Sequence, residues 1–334
     1  MQINTIKMSF KAVPVTILTG FLGAGKTTFL NHLIAENPQK KFVIIENEFG
    51  EINIDSQLVI NTDENIFELS NGCICCSVNG DLAALLNKLV TGPYDYDHLI
   101  IETTGIADPS AVAATFLTDY NIQTAFKLDG VIGIVDTLNI LDVLGIEEEA
   151  SKQIAFSDFL IFNKSSEASA AILAEVKEKV KALNPFADFV FTDYSKTPST
   201  ALLQLHAYDK SKVRFNLGFK TDDKPLLQLK PETHHHNIVS QSYILKPSFD
   251  LLKLRHYFSV MLMIQGAYFY RIKGILNIEG FKKQLIIQSV KGAPVFTEGD
   301  DWKNDEERET RIVFIGKNLK REILEKGLKQ CFYP

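Results

Sequence analysis

The chain has 334 residues, more than one domain of usual size, so two domains with separate cores are expected. At 46% hydrophobic and 23% charged residues it has a globular composition, which excludes a disordered or fibrous chain. A net charge of −6 with no basic stripe argues against general binding to nucleic acid or anionic membrane, and no apolar run approaches membrane-spanning length.

Residues 1–7 lack the charged start and apolar core of a secretion signal, so a cytoplasmic protein is expected. The apolar run 13–19 reads as a buried strand and residues 27–34 as an amphipathic helix. Between them lies Gly20-Phe21-Leu22-Gly23-Ala24-Gly25-Lys26-Thr27-Thr28, two glycines spaced for a phosphate loop and followed by Lys and Thr. A strand thus delivers the chain to a glycine loop whose backbone N–H groups, backed by a helix N-terminus, face phosphates. Gly23, Ala24, Gly25, Lys26, Thr27 and Thr28 are the expected nucleotide-binding residues. Lys26 would reach the β- and γ-phosphates, and the Thr27 hydroxyl would bind magnesium.

A second buried strand, 41–46, runs into a loop in which Glu46, Glu48, Glu51 and Asp55 fall within ten residues. Starting at the end of a parallel strand, this loop should open on the same sheet edge as the phosphate loop and act as a switch segment. After a short strand at 66–69, Asn71-Gly72 makes a turn into Cys73-Ile74-Cys75-Cys76. Three of the four cysteines therefore lie within four residues, a spacing that directs several sulfurs at one zinc or cobalt ion. A redox site fits less well, because the spacing is not C-x-x-C and adjacent cysteines pair only with strain.

A capped helix at 81–89 precedes the strand 98–102, which ends in Glu102 and continues as Thr103-Thr104-Gly105-Ile106-Ala107-Asp108-Pro109. In this Walker B arrangement Glu102 holds magnesium directly or through a water, the longer side chain of Glu favouring the water, and the Gly105 backbone contacts the γ-phosphate. Strands at 130–136 and 158–164 flank a helix around 147–156. The second ends in Asn163-Lys164-Ser165-Ser166, the start of a guanine-reading Asn-Lys-x-Asp pattern with Ser166 in the Asp position. A hydroxyl accepts from only one of guanine's two donors at a time, so base choice is open, with Glu167 as a nearby acid that can reach in. A helix at 168–183, a strand at 189–192 and a helix near 201–205 complete the alternating α/β unit.

Residues 208–237 are polar, contain His234-His235-His236, and read as an interdomain linker whose histidines either are solvated or feed metal to the cysteines. From 238 onward the pattern changes to strands at 238–244, 267–272, 284–290 and 311–315, a helix from Asp250 through about 263, and a closing helix at 319–329. The expected fold is therefore α/β: a P-loop NTPase domain with a mainly parallel sheet over 1–207, then a smaller α+β C-terminal domain over 238–334. Cys331 reads as a packed thiol.

Taken in order, the phosphate loop, Glu46-Asn47-Glu48-Phe49-Gly50-Glu51, Gly72-Cys73-Ile74-Cys75-Cys76 and Glu102-Thr103-Thr104-Gly105-Ile106-Ala107-Asp108-Pro109 resemble the CobW-like family of GTP-dependent metal chaperones. Arg271-Ile272-Lys273-Gly274 and Phe314-Ile315-Gly316-Lys317-Asn318-Leu319 look like that family's C-terminal domain. The resemblance implies a GTPase that uses GTP and Mg2+ and loads Zn2+ or Co2+ into a client metalloprotein. It implies Cys73, Cys75 and Cys76 as metal ligands with Glu46 as a further contributor, Lys26, Glu102 and Gly105 as the hydrolytic set, and Asn163 and Lys164 on the nucleotide. Ser166 departs from the family's usual Asp. No arginine finger is evident in the nucleotide motifs, so turnover without a partner should be slow. Two rival readings are a phosphotransferase, for which the cysteines would be dispensable, and a metal buffer or sensor with a regulatory nucleotide site.

Overall fold

The structure is a computed structural model and describes residues 12–46, 59–61, 66–70, 78–144, 146–194, 196–197, 199–208, 238–290, 292–303 and 307–334. Eight strands form the first sheet: β1 (Val13–Gly20), β2 (Phe42–Glu46), β3 (Val59–Asn61), β4 (Ile66–Ser70), β5 (His98–Glu102), β6 (Phe126–Asp136), β7 (Phe159–Asn163) and β8 (Asp188–Phe191). Their order is β3-β4-β2-β5-β1-β6-β7-β8, and every pair is parallel except β3 with β4. Continuous Val, Ile and Leu runs make such strands because both faces must be covered. Successive side chains point to opposite faces. Val15, Ile17, Val43, Ile45, Leu99 and Ile101 thus share one core with α2 (Val78–Thr91) and α3 (Pro109–Thr118), while Leu18, Phe42, Ile44 and Ile100 pack on Phe29, Leu30 and Leu33 of α1 (Lys26–Glu36).

The connection from β1 leads to β2 on one side, whereas that from β5 passes β1 to reach β6 on the other. This reversal of strand order opens a crevice at the C-terminal end of β1, where ligands bind in open α/β sheets. The remaining helices of this unit are α4 (Tyr120–Ala125), α5 (Ile140–Val143), α6 (Glu148–Phe156), α7 (Ala170–Leu183) and α8 (Ser199–Leu202).

The second sheet is antiparallel throughout: β9 (Ile238–Leu245), β10 (Phe269–Leu276), β11 (Lys283–Val290), β12 (Ala293–Asp301) and β13 (Thr310–Lys317), in the order β12-β11-β10-β13-β9. One face, with Ile312 and Phe314, packs on Phe258 of α9 (Leu251–Gln265) and Leu328 of α10 (Arg321–Gln330). The alternate residues Val313 and Ile315 meet Ala155, Leu183 and Phe186 of the first unit. The contact is polar as well. Arg271 donates to the carbonyls of Phe156 and Ser157 and pairs with the Asp158 carboxylate, which Lys273 approaches to 3.7 Å and the Val131 N–H binds at 3.0 Å. Burial opposes the charge on Arg271, but Asp158 keeps it protonated; burial lowers the Lys273 pKa to about 8, with Asp158 acting against that shift.

The fold class read from the sequence holds, with differences in detail. The strand that leads into the cysteine region, β4, is preceded by a short antiparallel edge, β3. Helix α3, started by Asp108 accepting from the Ser110 N–H with Pro109 in the first turn, was not expected, nor was β12. Cys331 is packed as expected: buried, its thiol pushed up to about 11 by burial and donating to the Gly327 carbonyl.

Candidate nucleotide and metal site

The loop from β1 to α1 is shaped by two glycine positions. Gly20 has φ +149° and lies so close to β6 that a Cβ would come within 2.3 Å of the Ile134 carbonyl oxygen. Gly25 caps α1 in the left-handed region at φ 105°. Lys26 follows and turns back to donate to the Gly20 carbonyl at 3.0 Å; burial lowers its pKa and Glu102 partly restores it. A cation held over a glycine loop at a helix N-terminus is a ready anion seat.

Three strand ends supply the rest. The Thr27 hydroxyl lies 3.5 Å from Oε1 of Glu102 at the end of β5. Two hard oxygen donors at this spacing fit magnesium, which takes few protein ligands and keeps waters. Two residues on, the Thr104 hydroxyl is buried with no hydrogen-bond partner among the described residues, a polar atom suited to a bound oxyanion. Beyond β7, Asn163 Nδ2 donates to the Ala24 carbonyl at 2.9 Å and Lys164 Nζ to the Gly23 carbonyl at 3.2 Å. Lys164, in a left-handed conformation at φ 60°, also pairs with Asp136 at the end of β6 at 2.6 Å. Burial alone would raise the Asp136 pKa, but Lys164, Asn139 and the Leu138 N–H outweigh it and hold the carboxylate low.

Gly105 sits against the phosphate loop, where a Cβ would be 2.7 Å from the Leu22 backbone nitrogen. Its carbonyl and that of Ala107 both accept from the side-chain amide of Gln153 on α6, at 3.0 and 3.2 Å. Helix α6 reaches the other way too, Glu148 accepting from Tyr270 Oη at 2.9 Å and from Lys317 Nζ at 2.8 Å.

The structure therefore brings together Gly23 to Thr28, Glu102, Gly105, Asn163 and Lys164. Glu46 is in backbone register with Glu102. Cys73, Cys75, Cys76, the switch segment beyond Glu46 and His234 to His236 lie outside the described residues. Among the described residues no cluster of three metal-ligating side chains occurs, and no helix is long and apolar enough to cross a membrane. Glu167 is exposed on the turn after β7; the carboxylate that instead meets Ser166 is Asp193, whose Oδ1 accepts from both the Ser166 N–H and its hydroxyl at 2.9 Å. Asp136, Gln153 and Asp193 were passed over in the sequence. An acid ending the β6 strand was a visible signal for Asp136; the other two had none.

Residues 14–191 match the CobW/HypB/UreG nucleotide-binding domain. The chain belongs to the CobW/HypB/UreG family. Residues 238–332 match the cobalamin synthesis protein CobW C-terminal domain. Two relatives match the chain along most of its length. The zinc-regulated GTPase metalloprotein activator 1 of Saccharomyces cerevisiae is 31% identical over 96% of this chain and 83% of its own length. The zinc chaperone YjiA of Escherichia coli is 32% identical over 93% of this chain and 96% of its own. The crystal structure of Zn(II)-bound YjiA GTPase from E. coli superposes with a TM-score of 0.73 at 26% identity, covering 97% of this chain and 100% of that one. As a CobW-family P-loop protein with this architecture, the chain is a GTPase.

Proposed function

We propose that this chain is a GTP-hydrolysing metallochaperone that takes up zinc and hands it to a client metalloprotein, its hold on the metal set by the bound nucleotide. The observation that carries this reading is a register: Ser70, Glu46 and Glu102 stand abreast at the C-terminal ends of β4, β2 and β5. Neighbouring strands are about 4.8 Å apart. Glu102, beside the phosphate loop, and Ser70, which precedes Cys73 by three residues in the sequence, thus end on one sheet edge. The zinc named in the relatives supports the cargo, and cobalt is a second ion that a thiolate set accepts.

In this reading residues Gly23 to Thr28 cradle the phosphates and Lys26 balances the β- and γ-phosphate charge. Thr27 and Glu102 hold magnesium, which when bound adds positive charge against the triphosphate. Asn163 and Lys164 fix the base side of the loop, and the Gly105 backbone meets the γ-phosphate. Cys73, Cys75 and Cys76, with Glu46, hold the zinc. The nucleotide domain spans 1–207, and 208–237 joins it to the C-terminal domain, 238–334. A γ-phosphate that orders the segment after Glu46 needs to favour the tight-binding state by only about 2.7 kcal/mol to change zinc affinity a hundredfold.

The test is zinc affinity by chelator competition without nucleotide, with GDP, and with magnesium plus a non-hydrolysable GTP analogue, on wild type and Cys75→Ser. Tighter binding in the GTP-like state alone, lost in Cys75→Ser, is expected. Equal affinity in all three states would overturn nucleotide control and leave a metal buffer.

A further inference from the structure

The loops after β7 and β8 meet at a point that the Asn-Lys-x-Asp reading leaves incomplete. Guanine presents its N1–H and 2-amino group side by side, two donors that a carboxylate accepts together; adenine at the same edge presents an acceptor nitrogen. Ser166 carries no charge and its one oxygen cannot accept both donors in line. Yet the clamp that Asn163 and Lys164 make on the Ala24 and Gly23 carbonyls places the loop after β7 against the phosphate loop, on the side where a base would lie.

We infer that Asp193, from the loop after β8, supplies the carboxylate that reads guanine at the position Ser166 leaves without one. Its Oδ1 takes hydrogen bonds from the Ser166 N–H and hydroxyl, both at 2.9 Å, so the acid stands one hydrogen bond from the residue that occupies the missing Asp position. A carboxylate offers about four acceptor sites, and two contacts to Ser166 leave the others for a base. Asp193 is half-exposed and no other bond to its carboxylate occurs among the described residues. The remaining acids nearby are placed differently, Asp136 being engaged by Lys164 and Asn139 and Glu167 pointing to solvent.

The carboxylate is also held in place before any ligand arrives. Thr192, beside it, donates its N–H to the Phe162 carbonyl at 2.8 Å and accepts at its own carbonyl from the Ser165 N–H at 3.1 Å. The Lys196 N–H returns to the Asp193 carbonyl at 3.1 Å, and His32 on α1 lies 3.3 Å from the Thr197 carbonyl. Two loops 27 residues apart in sequence are thereby fastened to each other and to the helix that carries the phosphate loop. An acceptor fixed in advance discriminates better than one that must be ordered by its ligand.

An acid that only caps the Ser166 turn would make the same two bonds, and the amide variant separates the roles. Asparagine keeps an acceptor for the Ser166 donors but offers a base one acceptor and one donor. That pattern suits xanthine, which has N1–H beside a C2 carbonyl. The experiment measures GDP, XDP and ADP affinities by calorimetry on the full chain for wild type, Asp193→Asn, Ser166→Ala and the exchange Ser166→Asp/Asp193→Ser. Expected are a GDP loss of about 30-fold or more in Asp193→Asn with a gain in XDP of about tenfold. Ser166→Ala should cost less than about fivefold, and the exchange variant should return to guanine preference. An unchanged GDP-to-XDP ratio in Asp193→Asn, or an exchange variant blind to the base, would overturn the assignment. The inference rests on GTP use and not on zinc delivery, so its failure would leave the chelator-competition result untouched.

Discussion

The side-chain amide of Gln153 donates to the carbonyl oxygen of Gly105 at 3.0 Å, fastening α6 to the loop that follows the Walker B strand. The same helix, one turn and more away, is held to the second sheet by Glu148. Helix α6 is thus bonded at once to the loop nearest the γ-phosphate and to the C-terminal unit. Gln153→Leu keeps the volume and removes the bonds to Gly105 and Ala107. Single-turnover GTP hydrolysis should slow by about tenfold, from the loss of one to two hydrogen bonds. GDP affinity should stay within about twofold, and a matching loss of GDP affinity would show that the bonds support binding alone.

Gly105 is placed by contact with the phosphate loop. In Gly105→Ala the new methyl group meets the Leu22 backbone nitrogen at 2.7 Å, and backbone cannot step aside as the exposed Leu22 side chain can. The loop after β5 must move outward. The expected outcome is hydrolysis reduced by more than about tenfold with GDP binding retained, read from phosphate release and from nucleotide titration.

Breaking the interdomain ion cluster should be costly. Arg271→Leu removes the guanidinium from a buried Asp158, whose remaining partners are the Val131 N–H and a distant Lys273. Urea unfolding should show a loss of about 3–5 kcal/mol. Combining it with Asp158→Asn should recover only part of that loss, because the buried carboxylate charge is gone but Lys273 then lacks its counter-ion.

His98 gives a pH dependence with a defined sign. Burial above all, with a smaller push from Lys40, drives its pKa down to about 3. The folded imidazole stays neutral, with Nε2 2.8 Å from the Thr16 hydroxyl. The unfolded chain takes up a proton near pH 6.5, which the folded state refuses until about pH 3. Stability from this residue is therefore full above about pH 6.5 and lost as pH falls toward 3. The urea midpoint should drop between pH 7.5 and 5 in wild type and drop less in His98→Leu.

Much of this was legible in the sequence, for reasons that differ by element. β1 and α1 announce themselves because a buried parallel strand, a glycine loop and an apolar stripe occur in immediate succession. Helix α3 was hidden by its burial: Val112, Ala113, Ala114, Thr115 and Phe116 are all inside, which erases the one-sided pattern that marks a surface helix. β12 carries Pro294, Gly299 and three acids because it is a sheet edge, where such residues are tolerated and blunt further pairing. At the site, Lys26, Thr27, Glu102, Asn163 and Lys164 could be read because each follows a strand at short range. Gln153 and Asp193 could not, since their partners lie 48 and 27 residues away and only the folded sheet brings them near.

The pairing of Asp158 with Arg271 also bears on how the protein is made. The two residues are 113 apart, so on a ribosome adding roughly 5–20 residues each second the acid waits about 6–23 s for its counter-ion. During that interval the emerging nucleotide-binding half has a carboxylate at its rim with no guanidinium to meet it and an uncovered patch around Ala155 and Phe186. The first half therefore keeps this patch exposed during synthesis until Tyr270, Val313 and Ile315 of the second sheet arrive to cover it.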